Sequence, residues 1–364
     1  MEASEKNVGY RGSKSDVVTS VKEQRVDGSV TKQNSKVLVL RCILLNFERK
    51  SLIKVPSNHI NKRRLYTSRV DKSKTILESN LSPGFVTGFS DAESSFSVLI
   101  QPNRGYATGW RIKLIFSIGL HKKDLDLLKN IQCFLGVGKI HSHGQESVQF
   151  RVESARELQV IINHFTSYPL ITAKLSDYIL FKLALDIVLS KEHLSEEGLL
   201  KLVGIKASLN LGLSDKLKEA FPNWKNLQIE RPIYNFHCIP NPDWLGGFAS
   251  GDGSFNIKIS NSSTSLLGKR VQWRFGIGLN IREQYLIKYL ATYFNISVVG
   301  NTYFDNSVAT FEVVVVKFSH IVGIIIPFFD KHLIQGKKSS DFALFKATAE
   351  IIQSGNHLTS EGFQ

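Results

Sequence analysis

The sequence predicts an α+β protein made of two tandem copies of one unit, related by a pseudo-twofold axis. The first observation is internal similarity, because five blocks of sequence recur in the same order later in the chain. Phe116 and Phe275 begin one pair of matching blocks, and Lys174 and Lys338 begin another at a nearly equal offset. The second observation is that each copy has an αββαββα-like order of patterns, which predicts a four-stranded, mostly antiparallel sheet with helices on one face.

The first copy begins with a helix that Ser82 can cap and in which Pro83 suits the first position. Strand-like alternation follows at once, with Phe96, Val98 and Ile100 on one face. Further along, a charged segment rich in Leu and Ile predicts a second helix. The strands of this copy are predicted at residues 95–102, 110–119, 137–143 and 147–153, with more helices after them.

The second copy repeats this order, with Asn241 and Pro242 at its first helix and strands predicted at residues 254–261, 270–279, 297–304 and 308–316. The first copy continues with helical residues that have no counterpart before Gln364. We therefore expect either a truncated second copy or a dispensable terminal helix. The predicted division is a leader at 1–80, a first repeat with linker at 81–230, and a second repeat at 231–364.

Composition indicates a globular protein with an anionic partner. The chain has 364 residues, 42% of them hydrophobic and 10% aromatic, and its formal net charge is +14. Nucleic acid is favoured over a membrane, because no long basic amphipathic helix is visible and the longest apolar run, residues 37–47, is too short to span a bilayer. Three cysteines without metal-ligand spacing indicate neither a zinc site nor a disulfide framework.

Residues 1–80 differ from the rest of the chain. They hold 17 Lys/Arg against 8 Asp/Glu, a balance of +9, so nucleic-acid binding by the two repeats must be argued from their motifs. We expect a largely disordered, basic leader with one short strand at residues 37–45. A presequence is conceivable at residues 65–69, but Glu2, Glu5 and Asp16 argue against an acid-poor transit peptide at the N-terminus.

An acid stands at the end of the first helix of each copy, Glu93 in one and Asp252 in the other, where the helix macrodipole disfavours a negative charge. Packing of the two helices across the pseudo-twofold axis would bring these acids side by side. Their repulsion would raise at least one pKa, unless a divalent cation bound both carboxylates. The alternative is two exposed acids at separate helix ends. Small residues four apart predict the close packing: Gly88, Ala92, Gly247 and Gly251.

These helix ends resemble the paired nine-residue motifs of the LAGLIDADG homing endonucleases, in the single-chain, two-motif form typical of fungal organellar introns. The matching segments read VTGFSDAES at residues 86–94 and LGGFASGDG at residues 245–253, and the resemblance covers about residues 81–364. It implies a monomeric, mitochondrial endonuclease that uses Mg²⁺ to hydrolyse one phosphodiester per strand of double-stranded DNA. It also implies cleavage across the minor groove, with short 3′ overhangs.

The resemblance places the metal site at Glu93 and Asp252, together with Ala92 and Gly251. The metal would polarise the scissile phosphate, help to generate hydroxide and stabilise the leaving 3′-oxygen. The two acids are also expected to be catalytic, so that Glu93→Gln or Asp252→Asn should abolish cleavage and spare binding.

Three other positions in the motifs bear on the helix ends. Asp91 takes the earlier acidic position, which has a structural role in the family, and Ser250 replaces that acid in the second copy. Ser94 replaces the terminal glycine of the first motif. The metal-binding position stays acidic in both copies.

Lys174 and Lys338 are the candidates for stabilising the charge of the transition state, since each precedes a helix at the same place in its copy. The alternative is a pair of solvated lysines at helix starts. The family often carries a polar residue at the end of the second strand. Leu120 and Leu279 fall near that position here, so this role stays unassigned.

DNA recognition is expected from the polar faces of the strands, where Asn, Gln, Arg and Lys can contact base edges in the major groove. In the second copy Phe255, Ile257 and Ile259 point one way, away from the polar side chains. The copies differ at most of these positions, so the site should be long and asymmetric. The predicted DNA-binding residues are Ser95, Ser97, Gln101, Arg104, Arg111, Lys113, Gln149, Arg151, Asn256, Lys258, Ser260, Arg270, Gln272 and Arg274.

Three alternatives remain open. The same fold serves in some family members as an RNA maturase that helps a group I intron to splice, and the basic leader would suit intron RNA. A DNA-binding relative without activity would show a lost acid or disrupted helix packing, and neither is visible in the sequence. A repeat-built scaffold without a nucleic-acid ligand is mildly compatible with the +5 balance of residues 81–364.

Overall fold

The computed structural model describes residues 80–264, 268–295, 304–305, 308–356 and 359. The predictions of a disordered leader and of a strand at 37–45 lie outside these residues, as does most of the strand predicted at 297–304. Within the described residues the order of elements repeats once and each half forms an antiparallel sheet, which confirms the predicted α+β class. In this part of the chain no helix has the length and hydropathy needed to cross a membrane.

The first repeat pairs its strands in the order β1-β2-β4-β3, all antiparallel. Its elements begin with α1 (Pro83–Glu93), β1 (Ser94–Pro102), β2 (Trp110–His121), a 3₁₀ turn (Lys122–Asp124) and α2 (Leu125–Leu135). Strands β3 (Lys139–Ser142) and β4 (Ser147–Val152) come next. Five helices follow: α3 (Ala155–Ser167), α4 (Lys174–Leu189), α5 (Glu196–Ser208), α6 (Asp215–Ala220) and α7 (Trp224–Leu227).

The second repeat has the corresponding strand order, β5-β6-β8-β7. It consists of α8 (Pro242–Asp252), β5 (Gly253–Asn261), β6 (Lys269–Asn280), a 3₁₀ turn (Ile281–Glu283), α9 (Gln284–Tyr293), β7 (Phe304–Asp305) and β8 (Val308–Val315). Helical segments follow: α10 (Phe318–His320), a π-helical turn (Ile321–Ile325), α11 (Ile326–Lys331) and α12 (Lys338–Gln353).

Both repeats begin with the caps that the sequence predicts. Ser82 Oγ accepts a hydrogen bond from Phe85 N at 3.2 Å, and Asn241 Oδ1 accepts one from Asp243 N at 2.8 Å. The bounds of the seven strands other than β7 agree with the predictions to within two residues, and β3 begins two residues later than predicted. Gly136 and Gly138, at φ of 69° and 81°, hold the chain before β3 in a left-handed conformation that cannot continue a strand.

Each repeat has a hydrophobic core centred on the first aromatic residue of its first strand. Phe96 contacts the rings of Phe116, Phe165, Tyr178 and Phe181. In the second repeat Phe255 contacts four rings at the matching positions: Phe275, Phe329, Phe342 and Phe345. Because the same contacts occur twice, the helices lie on equivalent faces of both sheets, and these contacts leave the opposite faces uncovered.

Candidate active site at the interface of the two repeats

Close packing of α1 against α8 builds the interface between the repeats. A Cβ added to Gly88 would lie 1.8 Å from Trp244 O, and one added to Gly247 would lie 2.0 Å from Phe85 O. At the end of the helices, a Cβ on Gly251 would lie 2.5 Å from the Cβ of Ala92. The predicted small residues therefore let the two backbones touch, so that the helices end side by side.

Glu93 ends α1 and Asp252 ends α8, which places both carboxylates at this junction. Burial raises the pKa of Glu93, and the charge of Asp252 raises it further. Asp252 is partly accessible to solvent, but desolvation by the surrounding protein raises its pKa. The positive charges of Lys174 and Lys338 act in the opposite direction and lower it. The junction therefore favours a cation.

The two predicted lysines supply positive charge to the same junction. Lys174 Nζ donates to Ser90 O at 3.0 Å and to Ala92 O at 3.2 Å, and Lys338 Nζ donates to Gly251 O. Burial lowers the pKa of both ammonium groups, while the nearby carboxylates oppose this shift. The structure thus brings all of the predicted catalytic and metal-site residues into one cluster.

Asp91 is buried and joins three elements. Its carboxylate accepts from Trp244 Nε1 at 2.8 Å, Ile171 N at 3.0 Å and Thr172 Oγ1 at 2.6 Å. Burial raises the pKa of Asp91, and these hydrogen bonds partly offset the shift. The acid therefore anchors the loop before α4, which carries Lys174, to the helix interface.

Ser250 anchors the matching loop of the second repeat with a shorter side chain. Its hydroxyl accepts from Gln335 N at 3.0 Å and donates to Gly246 O at 2.7 Å. Gln335 matches Ile171 of the first repeat, because the two precede Lys338 and Lys174 by the same number of positions. The replacement of the acid therefore keeps one anchor of the loop before α12 and loses the others.

The replacement of glycine by Ser94 leaves the end of α1 unchanged. Ser94 has φ of −83° and Gly253, at the matching position, has φ of −73°, so both residues have an extended backbone that does not require glycine. The Ser94 hydroxyl donates to Ser90 O at 2.6 Å. Glu93 and Asp252 therefore leave their helices in the same way.

The oxygen atoms at the junction fit a hard divalent cation. They comprise two carboxylates and the carbonyls of Ala92 and Gly251, each of which has a second lone pair beside its lysine bond. A Cβ on Gly251 would lie 3.2 Å from Glu93 Oε1, so the glycine keeps this space open. The described ranges hold no group of three or more His, Cys, Asp or Glu arranged for a metal. Mg²⁺ commonly takes one or two carboxylates and completes its shell with water and substrate phosphate.

The predicted DNA-binding side chains that lie on strands share one face of each sheet. In β5 and β6 they lie directly opposite one another: Asn256 with Arg274, Lys258 with Gln272, and Ser260 with Arg270. In the first repeat Gln101 lies opposite Arg111, Lys113 opposite Leu99, and Arg151 opposite Ser117. The remaining members on the strands follow the same alternation: Ser95, Ser97 and Gln149.

Two details of this face differ from the expectation. Arg104 lies in the exposed turn between β1 and β2, because strand pairing ends at Pro102 and Trp110. Ile259, expected to share the apolar face of β5, is 59% exposed because it lies towards the end of the strand, beyond the packed core.

Sequence reasoning missed the acids on the polar faces. Glu153 pairs with Lys113 at 2.7 Å, and Glu312 pairs with Arg274 at 2.7 Å. Sequence reasoning also missed Asp124 and Glu283, which occupy matching positions in the two repeats. The offset between these two acids equals the offset between the second strands that precede them. That matching offset is the signal that would have found the second pair. The first pair depends on contacts between strands, which the sequence does not show.

Comparison with known proteins identifies a family and relatives. The model of the LAGLIDADG endonuclease family matches residues 86–185 and 245–349. Probable intron-encoded endonuclease 3 of Neurospora crassa is 36% identical over 375 residues, covering 100% of this chain and 69% of that protein. The uncharacterized 50.9 kDa protein in ND4 intron 1 of Podospora anserina is 37% identical over 187 residues, covering 48% of this chain and 41% of that protein.

Solved structures of meganucleases share the fold. LAGLIDADG meganuclease I-CpaMI, bound to uncleaved DNA, is 67% identical with a TM-score of 0.73, covering 78% of this chain and 96% of that one. I-SmaMI, bound to an uncleaved DNA target in the presence of calcium ions, is 41% identical with a TM-score of 0.73, covering 78% and 95%.

Proposed function

Because this chain belongs to the LAGLIDADG endonuclease family, we propose that it is a homing endonuclease that hydrolyses one phosphodiester in each strand of a long, asymmetric DNA site. The observation that carries the proposal is the pairing of Glu93 and Asp252 at the junction of α1 and α8. A scaffold protein has no need for two acids in that unfavourable position.

The proposed cofactor is Mg²⁺, held by Glu93, Asp252 and the carbonyls of Ala92 and Gly251. When bound, it supplies positive charge that polarises the scissile phosphate and activates water. Lys174 donates two of its three N–H groups to backbone carbonyls, which leaves the third for a phosphate oxygen. Lys338 is held in the matching way by Gly251 O. Each ammonium group would stabilise the negative charge that develops on the phosphate.

The two polar sheet faces explain why the proposed site is asymmetric. Positions that match across the repeats carry different side chains: Ser97 matches Asn256, and Lys113 matches Gln272. Each face would therefore contact a different half of the DNA site in the major groove. One chain supplies both halves and both acids, so we propose that the active form is a monomer. The ND4-intron relative supports a mitochondrial location.

The proposal is tested by incubating the full chain with a randomised DNA library and Mg²⁺, followed by sequencing of the cut ends. We expect one long, asymmetric site cut to short 3′ overhangs. Glu93→Gln and Asp252→Asn should abolish cutting while leaving DNA binding intact. Glu219→Gln, an exposed acid on α6, is the matched control and should cut normally. Full metal-dependent cutting by either active-site variant would overturn the assignment.

A further inference from the structure

Resting on the proposed function, we propose that Asp124 and Glu283 are positioning residues, each of which holds the active-site lysine segment of the opposite repeat. Neither acid is one of the paired carboxylates, Glu93 and Asp252, although the charge of Asp124 acts on the pKa of Glu93 and of Lys338. Each lies in the 3₁₀ turn that follows the second strand of its repeat.

The hydrogen bonds cross between the repeats. Glu283 Oε1 of the second repeat accepts from Ala173 N of the first at 2.8 Å, and Ala173 directly precedes Lys174. Asp124 Oδ1 of the first repeat accepts from Lys337 N of the second at 2.5 Å, and Lys337 directly precedes Lys338. Both bonds therefore fix the backbone at the residue before an active-site lysine.

The two contacts are one arrangement repeated. The two acids occupy matching positions in the repeats, and so do the two donors, Ala173 and Lys337, each pair at the offset of its own sequence block. A single such bond would be an ordinary cap on the first turn of a helix. Here the bond occurs twice, and each time the acid belongs to one repeat and the N–H donor to the other. The position of the lysine in each repeat therefore depends on the other repeat.

The loop before Lys338 depends more strongly on its hydrogen bond from the opposite repeat than the loop before Lys174 does. Gly336, at φ of 71°, has no Cβ, and one added there would lie 2.6 Å from Asp124 Oδ1. Its counterpart in the first repeat is Thr172, which Asp91 holds through both its backbone N–H and its hydroxyl. The first loop thus has several anchors, whereas the second is held mainly by Ser250 and Asp124.

The consequence for cleavage is coupling between the two halves of the active site. Loss of Asp124 should displace Lys338, and loss of Glu283 should displace Lys174. Displacement by about 1 Å in an active site can cost up to about a hundredfold in rate. Under the proposed function each repeat supplies one lysine for one of the two scissile phosphates, so the two losses should slow opposite strands.

Strand-specific cleavage tests this inference. Asp124→Ala and Glu283→Ala should each slow one strand by about tenfold or more, on opposite strands, with the larger effect for Asp124. Nicked DNA should accumulate, kcat should fall, and DNA affinity should stay within about twofold, because neither acid lies on the polar sheet faces. Asp124→Asn and Glu283→Gln keep an acceptor oxygen and should restore most of the rate. Asp126→Ala removes an exposed acid close in sequence to Asp124 and serves as the control.

Amide hydrogen exchange gives a second readout that needs no cleavage. Asp124→Ala should speed exchange at Lys337 without changing Ala173, and Glu283→Ala should do the reverse. A wild-type chain that cuts no DNA would overturn the proposed function. A wild-type chain that cuts, while both alanine variants slow the two strands equally or not at all, would overturn only the inference about Asp124 and Glu283. Unchanged exchange at both amides would overturn it as well.

Discussion

Trp244 of the second repeat donates its indole N–H to Asp91 of the first repeat, with Nε1 2.8 Å from Oδ2. Both side chains are buried in the helix interface, at 1% and 4% exposure. Because Asp91 also holds the loop before Lys174, the bond connects the packing of the repeats to the position of an active-site lysine.

Trp244→Phe should therefore lower the free energy of unfolding by about 1–3 kcal/mol, since a buried carboxylate loses a donor. Urea denaturation would measure the loss. Trp273→Phe is the matched comparison, because Trp273 is similarly buried but donates to a neutral acceptor, Phe345 O, at 3.3 Å. A smaller loss is expected there. Equal losses would show that the charge of Asp91 contributes nothing.

Gly88→Ala should force the two helices apart, because the new Cβ would clash with the backbone at Trp244 O. Overpacking of this kind costs about 1–3 kcal/mol or more, and the carboxylates at the junction would separate. We expect a lower melting temperature together with slower DNA cleavage. Gly323→Ala has no atom within 4 Å of the new Cβ, so it should lower neither the melting temperature nor the cleavage rate. Normal cleavage by Gly88→Ala would contradict the need for close packing.

The sequence predicted the repeat, its strands and the acidic pair because these depend on local patterns that occur twice. Gly88 and Gly247 were recognisable for the same reason, since spacing along one helix determines which residues share a face. Asp124 and Glu283 were not selected, because their partners are backbone N–H groups of the other repeat. Their matching offset marks them as a repeated pair, but it does not reveal their partners before the repeats are packed together.

His164 makes stability depend on pH. Thr87 donates its one hydroxyl hydrogen to Tyr168 O, so it accepts from His164 Nε2 at 3.1 Å. The ring also packs against Phe134 and Phe165, and burial lowers the pKa of His164 from 6.5 to about 4. The folded state therefore favours the neutral ring. Its contribution is complete above pH 6.5 and declines as the pH falls towards 4, by about 3 kcal/mol in all.

Denaturation curves between pH 7.5 and about 4 would measure this dependence. His164→Gln should flatten the slope between pH 6.5 and 4 relative to the wild type. Phe134→Leu keeps an apolar side chain against the ring, so it should lower stability while retaining most of the slope. An unchanged slope in His164→Gln would assign the pH dependence to other groups.

Arg274 provides a test of the polar sheet face in the second repeat. It lies opposite Asn256 and is oriented by its ion pair with Glu312. Arg274→Ala should relax base preference at one position of one half-site. A good contact to a base contributes about 1–3 kcal/mol of discrimination against the wrong base, and this discrimination should be lost. Relative cleavage of targets with single base changes would measure it. Lys346→Ala removes a cation paired with Asp330 away from this face and should leave the profile unchanged.

Leu180 and Leu344 occupy the same position in α4 and α12, yet their environments differ. Leu180 is fully buried, whereas Leu344 is 66% exposed. Leu180→Ala should therefore cost about 2–5 kcal/mol, as large-to-small changes in a core do. Leu344→Ala should stay within about 0.5 kcal/mol, because little apolar surface returns to water.

The change of residue is the same in both helices, so helix propensity cancels and the difference reports packing alone. Chemical denaturation of the two variants beside the wild type would measure it. Equal losses would mean that residue 344 is covered in solution. In that case the outer face of α12 would pack like that of α4, and the two repeats would be more alike than their described residues indicate.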